Sequence, residues 1–295
     1  MARDTLTVLH VSDLQCGEPF LPSAAEAMLR FSDELEPDVV VVAGDLTQRA
    51  KPREYRMAGK VLERFGDVPL VVTPGNHDIP VYRVWERAVF PYRNWRRFVG
   101  RDLNTVTHVD GATFVTLNSS TPYRALVNGW IGDDQLDFAR RSFESAASGD
   151  FRIVVIHHNF VPVTGGEGGH AFPRAADVAR ALEQMDVDVV LGGHVHRLHL
   201  NTLHDIPDAP ELKALRPMPI VVCGTTASLR WRGDDESWNS LCVLRFESST
   251  LHVEPYRCPP PDFQAFEPLP PVTFPLGSTD GDEVGSARAG REASD

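Results

Sequence analysis

The sequence predicts an α/β fold in which short buried β-strands alternate with amphipathic helices. Five apolar runs are short, rich in β-branched residues and almost uncharged, as strands buried on both faces are. The first three runs lie about 30 residues apart, which is the length that one β-α-β unit needs. The runs are Leu6 to Val11, Val39 to Ala43, Leu70 to Val72, Ile153 to Ile156 and Val187 to Leu191.

The segments between the first three runs have the periodicity of helices. Ser23 to Leu35 opens on a residue that is a candidate N-cap, and it carries apolar residues on one face. Pro52 to Phe65 opens on a proline, which suits the first turn of a helix because no N–H is needed there. Helical crossovers between consecutive strands require parallel pairing.

Each apolar run is followed at once by polar residues that can bind a metal ion. If the five strands lie side by side and parallel, all five polar segments open at the same edge of the sheet, where open α/β folds place their sites. Carboxylates, amide oxygens and imidazoles that meet there can hold a pair of divalent ions, which predicts metal-assisted cleavage of a phosphate ester. The segments are Asp13-Leu14-Gln15, Gly44-Asp45, Gly75-Asn76-His77-Asp78, His157-His158 and Gly193-His194-Val195-His196.

These five motifs, in this order, resemble the calcineurin-like metallophosphoesterases, and most of all the bacterial class III cyclic-nucleotide phosphodiesterases. The resemblance runs from about Thr5 to His196. It implies a four-layer α/β/β/α sandwich of two mixed sheets with helices outside, formed by residues 1–258. It also implies two metal sites with Asp45 as the bridge. Asp13, Gln15, Asp45 and His196 would hold the first ion, and Asp45, Asn76, His157 and His194 the second.

The resemblance further implies a mechanism. A hydroxide that bridges the two metal ions attacks the phosphorus of a phosphodiester, in line with the leaving oxygen. His77, oriented by Asp78, faces the scissile phosphate. From that position His77 either stabilises charge or protonates the leaving alkoxide. The substrate class is nucleotide-like, with a 3',5'-cyclic nucleotide as one member.

Gln15 departs from the commonest pattern of the family, which has His at this position. Its amide oxygen is a harder ligand than imidazole nitrogen and favours Mn²⁺ or Fe²⁺ over softer ions, with Zn²⁺ still compatible. Branches that carry Asp-x-Gln are similar to Mn²⁺-dependent ADP-ribose and CDP-alcohol pyrophosphatases. Cleavage of a pyrophosphate in a nucleotide diphosphate or lipid-linked head group is therefore an alternative. A non-catalytic metal-binding scaffold of the same fold is another.

The segment from Tyr82 to Arg101 mixes six aromatic residues with six arginines directly after the third motif. Its simplest interpretation is a packed helical insert whose arginines reach water. A substrate-recognition wall and a surface that docks on anionic lipid are the alternatives. The candidate substrate-binding residues are Tyr82, Tyr123, Trp130 and His158.

Composition limits the partners and the compartment. The net charge is −12 without a basic stripe, so we expect a small phosphoester as partner and no stable nucleic-acid binding. The four cysteines lack metal-site spacing, which predicts free thiols in a reducing compartment. No signal peptide and no apolar stretch of about 18 residues is recognised, so the predicted location is cytoplasmic. A homodimer is possible.

Residues 259–276 read as a Pro-rich arm and 277–295 as a disordered acidic tail.

Overall fold

Two mixed β-sheets stack face to face, and helices cover the outer face of each, in a computed structural model that describes residues 5–123, 128–163, 169–231 and 237–277. The predicted four-layer α/β/β/α sandwich is confirmed. The tail predicted to be disordered lies, beyond Gly277, outside the described residues.

The first sheet contains seven strands. They are β1 (Leu6–Val11), β2 (Val39–Val42), β3 (Leu70–Val72), β10 (Asn239–Glu247), β11 (Thr250–Cys258), β12 (Glu267–Pro268) and β13 (Val272–Pro275). Their order is β12-β11-β10-β1-β2-β3, and β13 also pairs with β11. The last two strands belong to the predicted Pro-rich arm, which therefore extends the first sheet.

The second sheet contains six strands in the order β4-β5-β6-β7-β9-β8. They are β4 (Thr105–Val109), β5 (Ala112–Leu117), β6 (Phe151–Ile156), β7 (Val189–Gly192), β8 (His199–Thr202) and β9 (Pro219–Val222). The helices are α1 (Pro22–Leu35), α2 (Pro52–Leu62), α3 (Val84–Val89), α4 (Arg93–Phe98), α5 (Asp133–Glu144) and α6 (Ala175–Glu183). Short 3₁₀ turns lie at Glu63–Phe65, Asn76–Asp78, Leu203–Asp205 and Pro210–Ala214.

The apolar runs have no polar face because each strand packs on both sides. In β2, Val39 and Val41 enter the core between the sheets, whereas Val40 and Val42 enter the core under the helices. In β6, likewise, Ile153 and Val155 enter the core between the sheets, whereas Val154 and Ile156 enter the core under the helices. Side chains alternate between the faces of a strand, so an uninterrupted apolar run fits only a sheet covered on both faces.

The expectation that all five motif-bearing strands share one sheet edge is wrong. β1, β2 and β3 pair in parallel in the first sheet, whereas β6 and β7 pair in parallel in the second. The motifs meet all the same, because stacking brings the carboxyl ends of the two parallel sets together. His157 Nδ1, at the end of β6, lies 2.7 Å from the carbonyl oxygen of Ala43 at the end of β2.

The start of the first predicted helix also needs correction. Helix α1 begins at Pro22, its N-cap is Leu21, and no side chain caps it, so Ser23 lies inside the first turn and is not the N-cap. Proline at the first helical position satisfies the geometry without a side-chain acceptor. Helix α2 begins at Pro52 as predicted, and a 3₁₀ turn continues it to Phe65.

The aromatic and arginine-rich segment forms α3 and α4, as a helical insert between β3 and β4. Tyr92 and Trp95 are buried, which anchors α4, but α3 buries none of its residues. Among the helices of the described residues, none combines the length and the apolar character needed to cross a membrane.

Candidate metal centre

The seven predicted metal ligands converge at the carboxyl ends of β1, β2, β3, β6 and β7. All of them are buried, and none exposes more than 5% of its surface. They are Asp13, Gln15, Asp45, Asn76, His157, His194 and His196. Burial of so many polar side chains is costly unless each is paired or coordinates an ion.

Five of these residues have left-handed backbone conformations that L-residues avoid. The φ angles of Asp13, Gln15, Asp45, His194 and His196 lie between 51° and 76°. Each costs about 1 kcal/mol or more relative to an ordinary conformation. Such conformations cluster at functional sites, where surrounding structure holds side chains in a required direction.

Two glycines let the loops approach closely enough to form this cluster. A Cβ atom on Gly75 would lie 2.1 Å from Asp45 Oδ1. A Cβ atom on Gly193 would lie 1.9 Å from Ser12 Oγ and 2.7 Å from Asp13 Oδ2. All three distances are far below van der Waals contact, so the motifs require glycine before the ligand for packing reasons.

One group of side chains surrounds the amide oxygen of Asn76. That oxygen lies 2.9 Å from His194 Nδ1 and 3.2 Å from His157 Nε2, which is itself 3.4 Å from Asp45 Oδ1. His157 Nδ1 faces the Ala43 carbonyl oxygen and must carry a proton to bond it. In neutral His157, Nε2 then carries no proton, and its lone pair points at oxygen atoms that are also acceptors. A cation between Nε2 and these oxygens satisfies this arrangement.

A second group lies on the other side of Asp45. Ligand atoms of Asp13, Asp45 and His196 all lie within 4.8 Å of one another. Gln15 Nε2 donates to Asp45 Oδ2 over 2.7 Å. Among the described residues, neither Asp13 Oδ1 nor Gln15 Oε1 has a hydrogen-bond partner, although both are buried. Buried oxygens without donors fit a cation, and Asp45 contributes to both groups.

Burial dominates the electrostatics of this cluster. Desolvation raises the pKa of Asp13 to about 6 and that of Asp45 to about 7, from an ordinary value near 3.8. The amide of His77 and the charge of Arg230 oppose the rise at Asp45. The protein fold alone therefore disfavours the two carboxylates in their ionised forms, which divalent ions would stabilise.

His77, which is not one of the predicted ligands, lies beside this cluster. Its amide donates to Asp45 Oδ1 over 2.8 Å, and its ring Nδ1 lies 2.8 Å from the carbonyl oxygen of Gln48. Nδ1 therefore carries the proton and Nε2 is the acceptor for Arg230 Nη1 at 2.9 Å. Desolvation and Arg230 lower the pKa of His77 to about 4.

The expected contact between Asp78 and His77 is not what the structure shows. The Asp78 carboxylate instead accepts hydrogen bonds from the amides of Leu46, Thr47 and Gly75 and from the Thr47 hydroxyl. It therefore fixes the loops that follow β2 and β3, which carry Asp45 and Asn76. The backbone carbonyl of Gln48 orients the His77 ring, a role that no side-chain motif could reveal.

Arg230 is a candidate functional residue that the motifs missed. It lies in the loop after β9, at the same edge of the second sheet as the histidines. Thr225 in this loop donates to the carbonyl oxygen of Asp13, and Arg230 Nη1 also lies 3.3 Å from Gln48 Oε1. The signal that could have identified it is a further apolar run, Ile220 to Val222, which ends just before the loop.

The four candidate substrate-binding residues lie in different environments. Tyr82 and Tyr123 are exposed, at 78% and 74%. Trp130 is half-buried, and the Arg174 guanidinium lies 5.7 Å from its ring centre. His158 is buried, its Nδ1 is 2.7 Å from Ser119 Oγ, and its ring centre is 4.4 Å from that of His194. His158 thus packs against the rings of His157 and His194.

The chain belongs to the calcineurin-like phosphoesterase family, whose model matches residues 6–198. The family predicted from the five motifs is therefore confirmed, and membership places the chain among phosphoester hydrolases.

Two curated relatives are bacterial proteins. A cAMP/cGMP dual specificity phosphodiesterase of Mycobacterium tuberculosis is 28% identical over 225 residues, which cover 70% of this chain and 66% of that protein. A probable cyclic nucleotide phosphodiesterase of Rhodococcus erythropolis is 28% identical over 221 residues, which cover 68% of each protein. The matched part of the chain thus spans about two thirds of the length of these relatives.

A solved structure shows the same fold at low sequence identity. The purple acid phosphatase PPD1 from yellow lupin (Lupinus luteus) superposes with a TM-score of 0.66 and 16% identity, over 91% of this chain and 53% of that one. At this identity the similarity extends to the fold alone.

Metal binding should depend on pH because protons compete for the same carboxylates. Their folded pKa values, about 6 for Asp13 and about 7 for Asp45, lie above the ordinary value, so the folded protein holds these protons at pH 5 and loses them by pH 8. We expect Mn²⁺ to raise the melting temperature little at pH 5 and most above pH 7. Thermal unfolding with and without Mn²⁺ measures this difference. A shift that stays constant from pH 5 to 8 would contradict it.

Proposed function

We propose that this chain is a dinuclear-metal-dependent phosphodiesterase. The observation that carries the proposal is the arrangement around Asp45, whose carboxylate separates two clusters of buried acceptors. His157 Nε2 lies 3.2 Å from Asn76 Oδ1 and 3.4 Å from Asp45 Oδ1, and a neutral His157 whose Nδ1 proton bonds to the Ala43 carbonyl oxygen has no proton on Nε2 to donate to either. Asp13 Oδ1 and Gln15 Oε1 lack donors among the described residues. Two cations satisfy both clusters at once.

In this proposal the ligands are those expected from the motifs. Asp13, Gln15, Asp45 and His196 hold the first ion, whereas Asn76, His157 and His194 complete the second with Asp45. Oxygen donors outnumber imidazoles in the first set, and the amide at Gln15 makes that set hard. The proposed ions are therefore Mn²⁺ or Fe²⁺, and Zn²⁺ is the softer alternative.

Two bound divalent ions supply a deprotonated water as the nucleophile and neutralise charge on the phosphate oxygens. The residues of the chain do the rest. Asp45 and the left-handed turns set the separation of the two ligand groups, and burial keeps bulk water away from them. Arg230 and His77 form the polar wall beside the ligands, where the phosphate and its leaving oxygen would lie.

Arg230 and His77 act as a pair in this scheme. While Arg230 donates to His77 Nε2, the imidazole is neutral and cannot give up a proton from that nitrogen. We propose that a phosphate oxygen takes the place of His77 as the acceptor for Arg230. His77 Nε2 is then free to take a proton from solvent water and to donate it to the leaving oxygen, while the Gln48 carbonyl oxygen still accepts from Nδ1.

The proposed substrate is a nucleotide-like phosphodiester, with 3',5'-cyclic nucleotides first because the curated relatives act on them by name. Pyrophosphate cleavage is the second candidate, favoured by Gln15 and by a guanidinium that can bind a second phosphate group. The remaining alternative, a scaffold without activity, shares the fold but needs neither His77 nor Arg230.

A substrate panel separates these candidates. The metal-free chain is reconstituted with Mn²⁺ and assayed on cyclic AMP, cyclic GMP, bis-nitrophenyl phosphate, nitrophenyl phosphate, ADP-ribose and a CDP-alcohol. The proposal expects diesters to be cleaved with higher kcat/KM than the monoester and the pyrophosphates. Preference for ADP-ribose or the CDP-alcohol would establish the second candidate. Absence of turnover on all six, with both ions bound, would establish a scaffold.

We expect Gln15→His to shift the metal preference of the first site. Imidazole is a softer donor than an amide oxygen, so the variant should take up more Zn²⁺ relative to Mn²⁺ than the parent. Equilibrium dialysis against both ions, followed by elemental analysis, measures the ratio. If the ratio is the same in parent and variant, Gln15 does not bind a metal ion.

We expect Arg230→Gln to weaken substrate binding and to leave the metal content unchanged. A hydrogen bond to a charged partner contributes about 1.5–3 kcal/mol, so kcat/KM should fall about 10- to 100-fold. Steady-state kinetics and phosphate inhibition report the change. Arg140→Gln is the matched control, because Arg140 pairs with Asp137 on the exposed face of α5. An unaltered kcat/KM for Arg230→Gln would exclude contact with the substrate.

We also propose a cytoplasmic location. The four cysteines are free, buried thiols, as expected in a reducing compartment. The predicted homodimer stays a prediction, which sedimentation velocity of the full chain tests.

A further inference from the structure

Exposed apolar side chains are concentrated on one short helix of the molecule. Five large apolar residues in and around α3 are 56–85% exposed, and Trp85 is the most exposed of them. We call these residues the α3 ridge: Tyr82, Val84, Trp85, Val89 and Phe90. Tyr123, exposed as well, donates its hydroxyl hydrogen bond to the carbonyl oxygen of Ala88 in the same helix. Such a concentration marks an interaction surface.

A basic pocket opens directly beside the α3 ridge, between α3, α4 and the start of α2. Its volume is about 710 Å³. Six cationic residues line it, with Glu86 as the acidic member of the lining: Lys51, Arg53, Arg56, Arg83, Arg93 and Arg97. In a chain of net charge −12, this local excess of positive charge is unusual.

Most of these cations have no carboxylate to balance them. Arg83 is paired with Glu86 over 2.5 Å and also donates to the carbonyl oxygens of Arg49 and Ala50. Among the described residues, the other five cations have no carboxylate within ion-pair distance. Mutual repulsion of these charges is relieved when an anion enters the pocket.

We propose that the α3 ridge and the basic pocket together form a docking surface for an anionic phospholipid membrane. Exposed tryptophan, tyrosine and phenylalanine side chains partition into the interfacial region of a bilayer. Cations beside them bind the phosphate head groups of anionic lipids. The basic pocket supplies the head-group site, and the α3 ridge supplies the apolar contact with the acyl boundary.

The charge distribution favours a lipid surface over a second copy of the chain. A symmetric dimer contact joins the same patch on both subunits. Such a dimer through this face would bring two basic pockets together, and five unbalanced cations on each side would repel. An anionic bilayer instead complements the pocket and the ridge at the same time.

Vesicle co-sedimentation of the full chain tests the proposal. The chain is incubated with sucrose-loaded vesicles of phosphatidylglycerol and phosphatidylcholine, and with vesicles of phosphatidylcholine alone. We expect the chain to bind only the mixed vesicles. We expect this binding to weaken as salt rises from 50 to 500 mM, because the Debye length shortens about threefold over that range.

Two sets of variants separate the contributions of ridge and pocket. Trp85→Ala with Phe90→Ala removes apolar contact and should reduce binding to background. Arg53→Gln, Arg56→Gln and Arg97→Gln should each weaken binding about fivefold, the share of one cation near an anionic surface. The matched controls are Val106→Ala with Val272→Ala for the ridge and Arg64→Gln, Arg140→Gln and Arg180→Gln for the pocket. All these control positions are exposed or half-exposed and lie away from α3.

Each outcome decides the proposal, and thermal unfolding verifies that every variant is folded. Salt-sensitive binding to the anionic vesicles supports it if the ridge variant loses this binding, each pocket variant weakens it and the controls keep it. Binding that the ridge and pocket variants keep at the level of the parent overturns it. Absence of vesicle binding, or equal binding to both lipid compositions, overturns it. A concentration-dependent dimer in sedimentation velocity that Trp85→Ala abolishes also overturns it, because the face would then join two copies of the chain.

Discussion

Asp45→Asn should reduce kcat by more than about 10³-fold, because loss of one electrostatic stabiliser costs about 10²–10³ and Asp45 serves both proposed ions. The variant keeps the shape of the side chain. Its amide oxygen can still accept from the His77 amide. Its new NH₂ group faces Gln15 Nε2, and a turn of Gln15 that relieves this contact moves the Gln15 oxygen away from the first ion. The variant therefore loses the charge that holds the two ions together and weakens the first site further. Steady-state kinetics and elemental analysis of the same sample measure the loss.

The stability of the metal-free Asp45→Asn variant shows whether a lower kcat comes from lost metal binding or from misfolding. Burial raises the pKa of Asp45 to about 7, so its ionised form opposes folding of the metal-free chain above that pH. Metal-free Asp45→Asn should therefore melt at pH 8 no lower than the metal-free parent, and Mn²⁺ should stabilise it much less. Asp188→Asn, at a largely buried carboxylate that pairs with Arg216, is the matched control and should keep kcat. Full activity in Asp45→Asn would exclude a bridging role.

His77→Ala should retain both ions and most substrate binding while losing about 10²–10⁴ in kcat, as expected for a general acid. The structure gives the reason for retained metal content, since His77 directs its ring at Gln48 and Arg230 and offers its backbone amide to Asp45. Alanine keeps that amide. Elemental analysis tests the retained metal content and steady-state kinetics tests the loss of kcat. Release of an ion from His77→Ala would contradict the ligand assignment.

The leaving group shows which part His77 plays. A nitrophenolate departs without a proton, whereas the ribose oxygen of a cyclic nucleotide needs one. If His77 donates that proton, His77→Ala should harm cyclic nucleotides more than nitrophenyl diesters. Equal losses would mean that His77 stabilises charge on the phosphate and does not protonate the leaving oxygen.

Sequence alone predicted the strands and the ligand loops because both depend on local rules. Strands buried on both faces must be apolar throughout, and Val39–Val42 meets that rule without interruption. Close approach of loops demands glycine before the ligand, as Gly75 and Gly193 show. Polar residues that follow such strands come together wherever the carboxyl ends of the strands come together. This rule applies here even though β3 and β6 lie in different sheets.

The contacts within the site could not be read from the sequence in the same way. The orientation of His77 depends on a backbone carbonyl, and any residue at position 48 supplies one. The motif pairs Asp78 with His77, its neighbour in sequence, but the 3₁₀ turn Asn76–Asp78 directs the Asp78 carboxylate toward the loop after β2. Arg230 reaches the site from a loop 153 positions beyond His77, and only the stacking of the sheets brings them together.

The same limit applies to the segment that contains α3 and α4. Its composition favours a packed helical insert, with a substrate wall and a lipid surface as the alternatives. The structure divides it, since Tyr92 and Trp95 are buried while Tyr82, Trp85 and Phe90 face outward. Which of these residues are buried depends on which face of each helix packs against the rest of the protein. A helix of six residues is too short for its sequence periodicity to predict that face.

Anomalous diffraction from crystals grown with Mn²⁺ tests the central claim, a dinuclear centre bridged by Asp45, most directly. The account predicts two anomalous peaks about 3.5–4 Å apart, the separation of paired catalytic ions. One peak should contact Asp13, Gln15 and His196, the other Asn76, His157 and His194, and Asp45 should contact both. A single peak, or two peaks that share no carboxylate oxygen of Asp45, would contradict it.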